Sequence, residues 1–243
     1  MRIIGKAIKR IVALLLIIIV AVCGYFAYDG YKVYQNAVSQ ISIKEIGAKI
    51  RSQENFVSYD ELPQAYIDAV ISAEDEHFES HNGIDLSAIC RAVWIDIKTL
   101  SFAEGGSTIT QQLAKNQLFT QEKSFGRKFA EIYAAFAIEK EYSKNEIFEL
   151  YANSIYFGSG YYGIYEAAEG YFGKTPSELT DAEAVMLAGI PNAPSVYSPN
   201  NDADLTIKRM NVVLERMVEC GKITQEYSDQ LKSEEDSLRA LFA

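Results

Sequence analysis

The chain has 243 residues, 49% of them hydrophobic, which is enough for one large domain or two small ones around a substantial core. Its formal charge of -10 at pH 7 argues against a general nucleic-acid-binding protein, which would carry a basic face. The three cysteines, Cys23, Cys90 and Cys220, lie far apart, and Cys23 falls in an apolar run. The sequence therefore contains no disulfide framework and no CxxC metal site.

The N-terminus has the pattern of a membrane anchor. Four cations precede the charge-free run Ile11 to Tyr28, which is long enough to span a bilayer. The cations predict that residues 1–10 lie in the cytoplasm and that the chain after 28 lies outside it. A cleaved signal peptide is the alternative, but no small-x-small cleavage pattern follows the run. The sequence therefore predicts a single-pass protein of the cytoplasmic membrane. The cations are Arg2, Lys6, Lys9 and Arg10.

Residues 29–54 are polar with scattered apolar positions, and we interpret them as a stalk. The next segment, Asp60-Glu61-Leu62-Pro63, has a capping-type Asp and a Pro, which predict the start of a helix that ends near Glu74. The stretch from Glu74 to Asp85 then holds both histidines and five carboxylates. A carboxylate at a helix C-terminus feels the negative end of the dipole, and partial burial raises its pKa toward that of a general base. A solvated acidic turn is the alternative interpretation.

Helical periodicity dominates the rest of the chain. Asp85 is placed to cap a helix over residues 86–100, since apolar residues recur there at helical spacing. Alternating strand patterns are short and few, so the fold class is predicted to be mainly α. Further helices are predicted at about 108–119, 125–141, 144–152, 160–171, 180–188 and 204–218.

A loop with two glycines, Gly105 to Gln112, leads into one of these helices, with Thr108 and Gln111 spaced as a capping box. Such a turn presents backbone N–H groups and a positive dipole end to an anion, although an ordinary capped helix has the same pattern. Four cations follow in this acidic protein: Lys115, Lys123, Arg127 and Lys128. Glu131 comes one helical turn after Arg127, where an i,i+4 ion pair is possible.

Five segments together resemble one known family. They are EDEHFESHNGID, GGSTITQQLAKN, RKFAE, KNEIFELYANSIYFG and LAGIPNAPSVYSP. In order and spacing they are similar to the peptidoglycan glycosyltransferase domain of class A penicillin-binding proteins and monofunctional transglycosylases. The resemblance covers residues 55–220 and leaves 221–243 as a C-terminal helical tail. Since little sequence remains for a transpeptidase domain, the monofunctional enzyme is the expectation.

The resemblance implies a lysozyme-like, two-lobed fold behind the single N-terminal transmembrane helix. It implies polymerisation of lipid II into β-1,4 glycan strands, by inverting transfer from undecaprenyl pyrophosphate to the 4-hydroxyl of an incoming lipid II. The implied partners are lipid II, the growing glycan chain, the lipid bilayer and cell-wall synthesis proteins such as transpeptidases. The resemblance implies no required cofactor. Mg²⁺ or another divalent cation at the pyrophosphate is the alternative, although the sequence shows no dedicated set of metal ligands.

The resemblance also implies roles for individual residues. Glu74 would be the general base on the acceptor hydroxyl, and Glu131 the second carboxylate near the leaving group. Substrate-binding positions would be Asp75, Phe78, Ser107, Thr108, Gln111, Gln112, Lys115, Lys123, Arg127 and Lys128, while His81 and Gly83 match the first motif. The departures from the family pattern are Lys123 in place of Arg, Phe148 and Ala152 in place of leucines, and Met210 where a second Arg often follows Arg209.

Three other functions fit parts of the pattern. A metalloprotease would need His-Glu-x-x-His, but Glu79 lies one place late between His77 and His81. A lysozyme-like hydrolase also uses two carboxylates, yet does not need a Lys/Arg cluster beside the glycine loop. A non-catalytic cell-wall scaffold would have no requirement for both glutamates. The transferase is therefore the favoured function.

Overall fold

The computed structural model describes residues 2–99, 105–120 and 124–242. The chain is mainly α, as predicted, and within the described residues the only β pairing is one bridge between Tyr156 and Tyr162. The α-helices are α1 Arg2–Gln40, α2 Ile43–Arg51, α3 Gln64–Glu74, α4 Leu86–Thr99, α5 Ile109–Leu118, α6 Phe125–Glu141, α7 Lys144–Ala152, α8 Ile164–Phe172, α9 Asp181–Gly189, α10 Pro194–Tyr197, α11 Ala203–Glu219, α12 Gln225–Lys232 and α13 Glu235–Ala240.

Most predicted helix starts are confirmed by their caps. Thr108 caps α5 in a full capping box with Gln111. Asp85 accepts hydrogen bonds from the backbone N–H groups of Ser87 and Ala88, at 2.8 and 3.1 Å, in the first turn of α4. Each cap satisfies donors that the first helical turn leaves unpaired. The loops that carry the predicted site are therefore fixed at both of these helix N-termini.

Two helix starts were predicted wrongly. Asp60 does not cap a helix, because Ser58 and Glu61 form a capping box around a short 3-10 helix, and α3 begins only after Pro63. The helix predicted from residue 160 begins at Ile164. Gly160 and Gly163 before it have φ of 89° and 83°, values that only glycine adopts readily and that end the preceding hairpin.

The core is centred on α9, whose residues from Ala182 to Gly189 are all buried. Helices α3 and α11 pack on α9, and α5 packs between α6 and α7. A cleft separates the α3–α9–α11 group from α4 and the N-terminus of α5, which is the predicted two-lobed arrangement. The C-terminal end of α3, which carries Glu74, is therefore held at the cleft by the packing of this helix on the buried α9.

The segment predicted as a stalk, residues 29–54, is largely helical and packs against the domain. Helix α1 continues to Gln40 along α6, and α2 buries Ile46 and Ile50. The Tyr142 hydroxyl donates to the Ile43 carbonyl at 3.1 Å, which holds the start of α2 to the end of α6. This part of the chain is therefore not an extended spacer, since its apolar positions at helical spacing form a buried face.

One helix among the described residues is long and apolar enough to cross a membrane, over Lys9–Gln40. The predicted span 11–28 lies within it. Its apolar side chains are largely exposed, with Ile17 64% and Val20 70% accessible. A surface of this kind is unusual in water and typical of contact with lipid.

Candidate active site

The cleft is built from the end of α3, one face of α4, the glycine loop before α5, the turn after α9 and one face of α11. Its volume is about 490 Å³, within the range of small-molecule sites. It brings together six predicted residues from two distant parts of the sequence: Glu74, Asp75, Ser107, Thr108, Gln112 and Lys115.

Glu74 is the last residue of α3, and its side chain is only 8% exposed. Its Oε2 accepts a hydrogen bond from Gln112 Nε2 at 2.7 Å, and its Oε1 lies 3.5 Å from Arg209 Nη2. Burial raises the pKa of Glu74, while the Gln112 hydrogen bond and the charges of Arg209 and Lys115 offset part of the rise. The alternative of a solvated acidic turn is therefore wrong for Glu74.

Two buried tyrosines lie close to Glu74 on the protein side of the cleft. Tyr66 and Tyr151 are fully buried, and their hydroxyls have no hydrogen-bond partner among the residues that the structure describes. Burial, together with the charge of Glu74, raises the pKa of both phenols well above the ordinary value, so they stay protonated. A carboxylate beside these buried rings is poorly solvated, which is the environment that makes it a stronger base.

Asp75 and His81 join the first motif to the second. Asp75 Oδ2 accepts the Ile109 N–H at 3.0 Å, and both Asp75 oxygens lie 2.9 Å from His81 Nε2. His81 Nδ1 accepts the Gly83 N–H at 3.1 Å, so Nε2 carries the proton that is donated to Asp75. The end of α3 and the start of α5 are thereby held in one geometry.

Three predicted substrate-binding residues, like Asp75, make contacts that hold the fold together. Thr108 Oγ1 donates to the Gly83 carbonyl at 2.7 Å, and Gln111 Oε1 accepts the Thr108 N–H at 3.1 Å. Phe78 is 1% exposed and packs against Phe148 in the core. Of these three, only Thr108 borders the cleft. Direct contact of Phe78 and Gln111 with substrate stays a prediction.

Glu131 lies beside the cleft in a compact ion-pair cluster. Its side chain is 2% exposed, with Arg127 Nη1 at 2.5 Å from one oxygen and Lys128 Nζ at 3.0 Å from the other. The predicted i,i+4 pair with Arg127 is confirmed. Lys128 Nζ also donates to Ser107 Oγ at 2.7 Å, which connects the cluster to the glycine loop.

Lys115 connects the cluster to Glu74. Burial lowers the pKa of Lys115, while the charges of Glu131 and Glu74 raise it, so this ammonium lies in the field of both carboxylates. Lys123, the remaining predicted cation, lies outside the described residues. The described cations Lys115, Arg127 and Lys128 form one positively charged group with Glu131 inside it.

Sequence reasoning assigned no site role to the three arginines that line the cleft, which are Arg91 on α4 and Arg209 and Arg216 on α11. Arg216 Nη2 lies 3.0 Å from Glu76 Oε2, and Arg91 pairs with the second oxygen of Glu76. Arg209 and Arg216 lie seven residues apart on α11, a spacing that places both on one face. That spacing could have identified them. Met210 is fully buried, so the position that departs from the family pattern belongs to the core.

We expect Glu74→Gln to stabilise the fold at neutral pH. A raised pKa means that the folded chain binds the Glu74 proton more tightly than the unfolded chain. Ionisation therefore costs stability as pH rises from the unfolded value of about 4.3 through the folded value, and Gln removes that cost. Thermal unfolding at several pH values should show a higher melting temperature for the variant than for the parent at about pH 8. This difference should shrink toward about pH 4. The exposed Glu79→Gln is the control, and an equal effect of Glu74→Gln at every pH would contradict the burial of its charge.

Comparison with known proteins agrees with the motif resemblance. The Transglycosylase family profile matches residues 40–218. Penicillin-binding protein 1A of Pseudomonas aeruginosa is 44% identical over 184 residues, which cover 76% of this chain and 22% of that protein. Penicillin-binding protein 1A of Aquifex aeolicus is 45% identical over 175 residues, covering 72% and 24%. Penicillin-binding protein 1F of Bacillus subtilis is 40% identical over 204 residues, covering 83% and 29%.

This chain spans less than a third of the length of these relatives. The matched region starts before the predicted domain boundary at residue 55, and it includes α2. It also contains Glu74, the whole cleft and the cluster around Glu131. The chain therefore belongs to the transglycosylase family.

Proposed function

We propose that this chain polymerises lipid II into peptidoglycan glycan strands. The observation that carries the proposal is a buried carboxylate of raised pKa in a cleft that also holds Lys115, with Arg127 and Lys128 directly beside it. Glu74 supplies a base, while Lys115, Arg127 and Lys128 supply positive charge. Transfer of a sugar from a pyrophosphate to a hydroxyl requires both.

The proposed step is a single displacement at the anomeric carbon. Glu74 accepts the proton of the acceptor 4-hydroxyl as that oxygen forms the new bond to the donor's anomeric carbon. The bond from this carbon to the pyrophosphate oxygen breaks, and undecaprenyl pyrophosphate leaves with the electron pair. The cations stabilise the charge on the leaving group. One displacement inverts the configuration and gives a β-1,4 linkage.

Glu131 has a different role in this proposal. Both of its oxygens are paired with cations, and its side chain is almost completely buried. It is therefore poorly placed to accept a proton from substrate. We assign it the task of holding Arg127 and Lys128 toward the leaving group. Four further predicted site residues likewise hold other groups in place, here the first and second motifs: Asp75, Phe78, Thr108 and Gln111.

The carboxylates that line the described part of the cleft already have partners within the protein. Glu74, Asp75 and Glu76 are each already engaged by hydrogen bonds or ion pairs. Among the described residues there is also no group of three or more His, Cys, Asp or Glu side chains arranged to hold a metal. A divalent cation held by the pyrophosphate of the substrate stays an option, and a chelator arm in the assay tests it.

The test is an incubation of the full chain with labelled lipid II in one vessel and preformed glycan in another, each with and without chelator. Polymer from lipid II supports the transferase. Shortened glycan instead would mean a lysozyme-like hydrolase, which shares the two-carboxylate chemistry. Neither product would mean a non-catalytic scaffold.

We also propose that α1 anchors the enzyme in the cytoplasmic membrane with its N-terminus inside. The basic residues before the apolar run support this orientation. The full chain should sediment with membranes, and protease added outside the membrane should cut only after about residue 30. A soluble form that starts near residue 24 would show that the run is a cleaved signal instead.

A further inference from the structure

Helices α1 and α6 pack side by side and run in the same direction. At one end, Phe26 contacts Phe125 with ring centroids 5.2 Å apart. At the other end, Tyr34 contacts Tyr133 with centroids 6.2 Å apart. Both helices advance by eight residues between these contacts, so the register is fixed over about 12 Å.

Gly30 lies midway between the aromatic pairs, at a point where the two backbones approach closely. A Cβ atom at Gly30 would lie 2.7 Å from the Gly126 carbonyl oxygen and 2.9 Å from the Ala130 nitrogen. These are backbone atoms of α6, so a side chain at residue 30 must push the helices apart or slide one along the other. The contact therefore specifies where α6 lies along α1.

The same contact lies at the end of the apolar run. Tyr28 is the last residue of the charge-free run, and Asp29 is the first charged residue after it. Gly126, which faces Asp29 and Gly30, is followed directly by Arg127 and Lys128. At 1.5 Å rise per residue, the first cation lies within about one helical turn of the level where the apolar surface ends.

We propose that Gly30 is a positioning residue that sets the height of the cation cluster above the bilayer. The cluster is Arg127, Lys128 and Glu131 on α6. A lipid-linked donor has its hydrocarbon chain in the bilayer and its pyrophosphate at the surface, so its charge is available only at one height. Helix α1, continuous from the apolar run to its contact with α6, transmits that height to the cluster. This inference rests on the proposed lipid II polymerase function.

The experiment compares the full-length parent with Gly30→Leu and the milder Gly30→Ala. Gly24→Leu is the matched control, because nothing lies within 4 Å of a Cβ at Gly24 on the same helix. Each variant polymerises the same lipid II in vesicles, where the bilayer plane fixes the pyrophosphate height, and in detergent micelles, where it does not. Initial rates over a range of donor densities separate kcat from KM.

We expect Gly30→Leu to raise the vesicle KM roughly tenfold to a hundredfold, the scale of an ångström misplacement, with a smaller change in kcat. In micelles it should work near the parent rate, and Gly24→Leu should match the parent in both.

Parent-like kinetics of both Gly30 variants in vesicles would overturn the inference. Equal loss in vesicles and micelles would also overturn it, since that would show only a structural role, and Gly30→Ala decides this if Gly30→Leu does not fold. A parent that polymerises in neither medium would instead refute the proposed function.

Discussion

Glu74→Gln should abolish most polymerisation while leaving donor binding nearly unchanged. The substitution preserves the shape and the Gln112 contact of the side chain but removes its ability to accept a proton. Loss of a general base typically costs about 10²–10⁴-fold in rate. We therefore expect kcat for lipid II polymerisation to fall by at least that range. Affinity for a phosphoglycolipid donor mimic such as moenomycin should change little, because Arg127 and Lys128 are held by Glu131 and not by Glu74.

Glu79→Gln is the matched control for this result. Glu79 lies five residues further along the same motif and is exposed, so its removal should leave the rate unchanged. If Glu74→Gln polymerises lipid II at near the parent rate, Glu74 is not the base. If it instead loses donor affinity as severely as rate, Glu74 acts in binding.

Lys115→Ala should weaken binding of the donor. Its ammonium lies in the field of both Glu74 and Glu131, and it is partly desolvated. The loss of one charged hydrogen-bonding partner costs about 1.5–3 kcal/mol, which corresponds to roughly tenfold to a hundredfold in dissociation constant. Binding of the donor mimic by calorimetry checks this. Lys208→Ala is the control, because Lys208 is exposed and does not line the cleft.

Glu131→Gln distinguishes a supporting carboxylate from a catalytic one. If Glu131 holds Arg127 and Lys128 in place, its neutralisation should reduce donor affinity and turnover together. A direct role in proton transfer would lower turnover alone. If Lys115→Ala and Glu131→Gln both fold and both keep the parent's donor affinity, these residues do not form the leaving-group site.

Local features were the ones that the sequence could predict. The Thr108–Gln111 capping box and the Arg127–Glu131 pair each depend on residues three or four apart, so helical geometry alone specifies them. The position of Glu74 at the end of a helix was predictable for the same reason. The error at Asp60 was also local, since two candidate caps, Ser58 and Asp60, lie two residues apart and Ser58 with Glu61 forms the capping box.

Contacts between distant segments could not be predicted from spacing. The approach of Arg209 to Glu74 joins residues 135 positions apart, and the bond from the Ile109 N–H to Asp75 joins two motifs. Burial of Glu74 depends on α3, α5 and α11 meeting, which no single stretch encodes. The family resemblance named most of the residues, but only the fold shows that Glu131 is already paired with two cations.

The pH dependence of kcat/KM for lipid II polymerisation tests most directly whether Glu74, with its raised pKa, is the general base. A base must be deprotonated to act, so the rate should fall as pH drops through its pKa. Because burial raises that pKa, we expect the acidic limb of the parent profile to lie clearly above the ~4.3 of a free glutamate. In Glu74→Gln this limb should disappear from the residual activity. A limb at or below ~4.3, or the same limb in parent and variant, would contradict the assignment.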